Sequence, residues 1–141
     1  MRRVLDASVA FKWVVPETDS DRAIRLRDDY RNQRVELISP NIFGPEVAHS
    51  LTRAERQLRI AVSQSIVLLA DVLSTPPVFY PAFPILGRAC EISSQLRIGV
   101  YDCLYVALAE REGCDLVTAD TKLIGKLQKQ FPFIVDLASL P

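Results

Sequence analysis

Short apolar runs alternate with helical stretches along the whole chain, and this alternation leaves few architectures open. Arg2 to Leu5, Val35 to Ser39, Val78 to Tyr80, Leu116 to Ala119 and Phe133 to Asp136 each read as a strand. A short helix over Ser8 to Val15 ends at Pro16, because proline disfavours helical backbone in the residue before it. Thr18 to Asp21 offers caps for a charged helix reaching Asn32. Pro40 and Asn41 open a long helix whose Val47, Leu51, Ala54 and Leu58 form one apolar stripe, and Ser63 to Leu73 makes its partner. Ile85 to Leu96, Tyr101 to Glu112 and Thr121 to Gln130 are the remaining helices, with Gly99 before the second and Gly113 placed to end it. Strands separated by helices imply parallel pairing, since a parallel crossover needs the length that a helix supplies. The expected fold class is α/β, a single domain over residues 1–141 with a central parallel sheet flanked by helices on both faces. The pattern does not fix the strand order.

Size and charge narrow the classes further. A chain of 141 residues is one ordinary domain and buries about 70% of its unfolded surface, enough for a core without staples. Its 17 basic and 17 acidic residues cancel, so no global positive field marks a nucleic-acid binder and any such contact needs a local patch. Cys90, Cys103 and Cys114 lack metal-ligand spacing and read as free, mostly buried thiols of a reducing compartment. No apolar run is long enough to span a membrane, and Asp6 breaks the only start that resembles a signal peptide. A cytoplasmic protein without membrane contact is expected.

Four acids fall where regular elements would bring them together. Asp6 ends the first strand and Asp120 the fourth, and ligands of open α/β sheets bind at that carboxyl edge. Either acid could equally be a helix N-cap. Asp102 lies in a helix apolar nearly all round, Leu104 to Ala109, where an unpaired carboxylate is costly. It needs a cation, a basic partner or a solvated first-turn position stabilised by the helix dipole. Glu46 lies beside its helix's apolar stripe and could hold a cation or pair with Arg53. A site of carboxylates alone suits Mg²⁺ or Mn²⁺ better than zinc, which points to phosphate chemistry. Ser8 and Thr118, each two positions from an acid, could hold it or a metal-bound water, although a cap and ordinary strand propensity explain them too. His49, the only histidine, reads as a surface or partner-contact residue more readily than as a base. No nucleophile elbow and no phosphate-binding glycine loop are present.

The segments Val4-Leu5-Asp6-Ala7-Ser8-Val9-Ala10, Pro45-Glu46-Val47, Tyr101 to Ala109 and Val117-Thr118-Ala119-Asp120 together resemble the PIN-domain nucleases, and the single small domain resembles the VapC-type toxins of prokaryotic toxin–antitoxin pairs. The resemblance spans almost the whole chain with its motifs in order. It implies a metal-dependent endoribonuclease in which Asp6, Glu46, Asp102 and Asp120 bind Mg²⁺ or Mn²⁺, Thr118 and Ser8 assist, an antitoxin protein is the partner and the subunits form a homodimer. Members without an antitoxin act in RNA processing, which keeps that alternative open.

Elementary chemistry agrees: a bound metal lowers the pKa of the attacking water and neutralises charge on the phosphoryl oxygens, and a free carboxylate can take the proton. RNA also needs a surface that holds its backbone. Lys122, Lys126 and Lys129 recur at helical spacing after Asp120, and Arg53, Arg56 and Arg59 do so after Glu46, although charge runs are often plain solvated faces. A haloacid-type phosphatase would need an Asp at position 8, where Ser8 stands, and a receiver-like signalling module would need adjacent acids near Asp6. A non-catalytic protein-binding scaffold would have no use for all four acids.

Overall fold

The computed structural model describes all residues, 1–141. Its elements in chain order are β1 (Arg2–Leu5), α1 (Ala7–Val14), α2 (Ser20–Arg31), β2 (Glu36–Pro40), α3 (Phe43–Arg56), α4 (Gln64–Leu73), β3 (Val78–Tyr80), α5 (Leu86–Leu96), α6 (Val100–Glu112), β4 (Asp115–Thr118), α7 (Thr121–Leu127) and β5 (Ile134–Asp136). All four pairings are parallel, and the strand order is β3-β2-β1-β4-β5. The alternation expected from sequence is therefore present, as a five-stranded sheet.

Val4, Leu5, Leu37, Ile38, Leu116 and Val117 are fully shielded from solvent, as strands covered on both faces must be. Helix α1 packs with α2, α3 and α4, whereas α5 packs on α6, and α6 lies against β1, β2 and β4. Every residue of α6 from Cys103 to Ala109 is buried, which explains why its sequence shows no polar face. Buried Arg27 ties α2 to the end of α4, donating from Nε to Thr75 Oγ1 at 3.1 Å and from Nη2 to the Asp71 carbonyl at 2.6 Å. No helix is long and apolar enough to cross a membrane.

Three sequence expectations need correction. Leu58 does not extend the α3 stripe: it is 86% exposed with a φ of 59°. The helix closes there, Leu58 N–H donating to the Glu55 carbonyl and Arg59 N–H to the Ala54 carbonyl, and this closure requires a left-handed residue in the position usually given to glycine. Helix α7 stops at Leu127, so Lys129 lies beyond the turn that would align it with Lys122 and Lys126. Among the cysteines, Cys103 is buried but Cys90 is exposed. Gly113 does end α6, at φ 63°.

Candidate metal centre and its surroundings

The strand order places a topological switch between β1 and β4, the neighbouring strands from which the chain winds outward in opposite directions. A crevice opens at the carboxyl ends of such a pair. Asp6 leaves β1 there and Asp120 follows β4. Each of the four acids starts a helix: Asp6 and Asp120 are the N-caps of α1 and α7, and Glu46 and Asp102 lie in the first turns of α3 and α6. Four helix N-termini thus meet the acids, and their partial positive charge offsets some of the crowding of negative charge. Asp6, Glu46, Asp102 and Asp120 line one cleft of about 150 Å³, together with Ser8, His49 and Ser50.

The two strand-end acids are held differently. Asp6 is only 4% exposed, and its Oδ2 accepts from Thr118 Oγ1 at 2.8 Å and from Ser8 Oγ. Each hydroxyl also receives a backbone donor: Ala119 N–H to Ser8 Oγ and Asp120 N–H to Thr118 Oγ1, both at 3.0 Å. Ser8 and Thr118 therefore clamp the ends of β1 and β4 together around the Asp6 carboxylate, with their hydrogens directed at Oδ2 and Oδ1 left without a hydroxyl donor. Asp120 is a true cap. Its Oδ1 accepts the Lys122 and Leu123 N–H groups at 2.9 and 3.3 Å, and its Oδ2 accepts no hydrogen bond.

The other two acids have no basic partner. Glu46 forms no ion pair with Arg53, the alternative its sequence position left open, and Asp102 has no neighbouring cation. Burial is the main force raising the Asp102 carboxyl to about 6, and the charges of Asp6 and Asp120 add to it. Burial also lifts Glu46 to about 7, reinforced by Asp6, Asp102 and Asp120 and opposed by Tyr105. Asp6 is raised by burial against the pull of its two hydroxyl donors. The Tyr105 hydroxyl is buried near Glu46 but makes no hydrogen bond of normal geometry. Burial beside Asp6 and Glu46 keeps that phenol protonated.

This donor set fits a hard divalent cation. It offers carboxylate oxygens with neither thiolate nor a cluster of imidazoles, and a cation would remove the repulsion that raises three of the acids. No three of these side chains close into a tight coordination shell. That openness suits Mg²⁺, which keeps several of its waters and takes only one or two carboxylates.

The basic residues named from sequence divide. Lys122 is exposed next to Asp120, whereas Lys126 Nζ is engaged by the Arg97 carbonyl at 2.9 Å. Arg53 opens on a neighbouring cleft of about 330 Å³ that shares Ser8 and Ser50 with the acid cleft. Sequence reading places Ser50 beside Glu46 on its helix but misses two charged residues of these clefts, Lys12 and Glu17. Helical spacing could have found the first, because Lys12 is four positions after Ser8. Nothing local marks Glu17.

The PIN domain family model matches residues 3–127. Among curated relatives, Ribonuclease VapC3 of Pyrobaculum aerophilum is 30% identical over 141 residues, covering 96% of this chain and 98% of its own. VapC ribonuclease Mb0985 of Mycobacterium bovis is 30% identical over 125 residues, covering 86% and 97%. Two crystal structures share the fold. PAE2754 from Pyrobaculum aerophilum superposes with a TM-score of 0.69 at 21% identity, over 99% of this chain and 94% of that one. VapBC2 from Rickettsia felis, bound to a DNA fragment from its promoter, gives 0.65 at 16% identity, over 96% and 97%.

Proposed function

Because this chain belongs to the PIN domain family, we propose that it is a divalent-metal-dependent endoribonuclease and the toxin of a VapBC-type toxin–antitoxin pair. The observation that carries the reading is the gathering of Asp6, Glu46, Asp102 and Asp120 in one cleft at the switch point, without any cationic partner for Glu46 or Asp102. The curated relatives named as VapC ribonucleases support RNA as substrate, and the VapBC2 likeness supports a small antitoxin as partner. A homodimer and a cytoplasmic location complete the proposal.

In this reading Asp6, Glu46, Asp102 and Asp120 form the site that would hold Mg²⁺ or Mn²⁺, directly or through its waters. When bound there, the ion would supply acidity to the attacking water and neutralise charge on the phosphoryl oxygens. Hydrolysis forms one phosphorus–oxygen bond to water and breaks one to a ribose oxygen. Ser8 and Thr118 do not react; they fix the rotamer of Asp6 and direct its Oδ1 away from their own hydrogens. A carboxylate that met the ion only through water would be free to take the attacking water's proton. Tyr105, protonated and lacking a good acceptor, keeps a donor aimed near Glu46.

The test is cleavage of total RNA by purified protein with Mg²⁺ or Mn²⁺, with excess EDTA, and with Asp102→Asn as a control against contaminating nuclease. Cleavage that needs the metal and the intact acid is expected. Activity that persists in EDTA and in the variant would overturn the mechanism.

A further inference from the structure

The cleft beside the acids carries the opposite charge. Lys12 of α1, Arg53 of α3 and Arg59 just past α3 line it together with a single acid, Glu17, for a net charge of two positive. Glu17 accepts from Lys12 Nζ at 2.9 Å through Oε1 and from Arg59 through Oε2. Lys12 also donates to the Thr18 carbonyl at 2.8 Å. The left-handed turn at Leu58 redirects the chain after α3, and the Arg59 guanidinium lies 5.6 Å from the Phe11 ring centre. The Arg53 guanidinium has no ion-pair partner, although it lies on the same cleft as the other two cations.

Resting on the reading of the acids as a nuclease centre, we propose that this basic cleft is a second phosphate subsite, which seats the RNA backbone phosphate next to the one being cleaved. Arg53 and Lys12 are its contacts, and Glu17 is a latch that positions Lys12 and Arg59 while reducing the pull of their charge. The two clefts are continuous through Ser8 and Ser50, so a backbone crossing the acids passes directly onto these cations. The acid cleft needs such a neighbour. Its carboxylates can be neutralised by a cation at one point, but the flanking phosphates, each carrying its own charge, are still repelled. The other pocket adjoining the acids shares Glu46 and His49 with them and is completed by Ile42, Pro45 and Tyr101; it offers no lysine or arginine to a phosphate. Backbone phosphates are held by Arg and Lys, with arginine able to donate two parallel bonds.

A purely structural role for the Lys12–Glu17–Arg59 network, sewing α1 to the end of α3, predicts something different. It leaves Arg53 unexplained, and it makes loss of Glu17 harmful to every property. The subsite predicts opposite signs for two substitutions. Steady-state cleavage of a fluorescein-labelled, mixed-sequence single-stranded RNA is measured in Mg²⁺ across a salt series, with thermal unfolding alongside. Arg53→Ala is expected to lower kcat/KM about tenfold, mainly through KM, and to reduce the slope of log(kcat/KM) against log salt by about 0.7, at unchanged Tm. Glu17→Gln is expected to raise kcat/KM several-fold and steepen the slope even if its Tm falls. Wild-type kcat/KM and slope in Arg53→Ala, or a loss of kcat/KM in Glu17→Gln that parallels its Tm, overturns the subsite. If the wild type does not cleave, the nuclease reading fails by itself. Anisotropy of the same RNA in EDTA then decides the subsite separately: weaker binding in Arg53→Ala with tighter binding in Glu17→Gln supports it, and unchanged affinity in both overturns it.

Discussion

Replacing Asp102 by Asn removes one negative charge and almost no volume, and it sets two physical accounts of this acid against each other. If Asp102 serves mainly as a first-turn acid on the α6 dipole, the metal-free protein loses about 0.3–1 kcal/mol on substitution. If the cost of burying this charge beside Asp6 and Asp120 dominates, the sign reverses. A carboxyl held at about 6 rather than 3.8 is worth about 3 kcal/mol at full strength, each pH unit corresponding to about 1.4 kcal/mol. Asp102 is only partly buried, so water screens the effect and about 1–2 kcal/mol of relief at pH 7 is the realistic figure. Subtracting the dipole leaves a net gain near 1 kcal/mol, or an increase in Tm of about 2–4 °C for a domain of this size. Magnesium should act the other way. Ion at about a hundred times its Kd stabilises the wild type by about 2.7 kcal/mol and the Asp102→Asn variant far less. Thermal unfolding at pH 7 with EDTA and with Mg²⁺, beside the RNA cleavage assay, measures all three quantities. A fall in the EDTA Tm of Asp102→Asn, together with no Mg²⁺ shift in the wild type, would make Asp102 a structural acid and refute the reasoning.

The raised carboxyls also predict a pH dependence. Because Glu46 near 7 and Asp102 near 6 bind protons more readily folded than unfolded, their stabilising contribution to the metal-free fold is complete below about pH 4 and lost as pH rises through 6 to 7. The EDTA Tm should therefore rise between pH 7.5 and pH 6, and Glu46→Gln should flatten that rise. Thr118→Val keeps the shape of Thr118 but leaves Asp6 and the Asp120 N–H each short of a partner, so a loss of about 1–3 kcal/mol in urea unfolding and a drop in cleavage of about 10–100-fold are expected. Leu58→Gly should stabilise by about 1 kcal/mol in the same unfolding assay, because Leu58 pays for a left-handed backbone and buries almost nothing in return. A destabilised glycine variant would mean that exposed Leu58 makes contacts of its own.

Local periodicity determined the elements. The apolar run before Asp6 makes β1, the unbroken apolar stretch after Asp102 makes the buried helix α6, and the oxygen-only acids limit the chemistry, all because strand and helix periods and ligand hardness are properties of short segments. The same local logic failed where a helix end was decided by something else. Leu58 fits the α3 stripe by spacing, but the helix closes before it, and the Thr121 to Gln130 pattern outlasts α7, so Lys129 loses the face that spacing assigns to it. Only the tertiary structure set the order β3-β2-β1-β4-β5, which brings Asp6 beside Thr118 across 112 residues of sequence and turns two separate hydroxyls into one clamp. It alone carried Arg59 back to Glu17, 42 residues away, beside Lys12 and Arg53. Contacts of that separation depend on which strands pair and which helices pack, and those choices are made by the burial of the whole core at once, which no window along the chain can register.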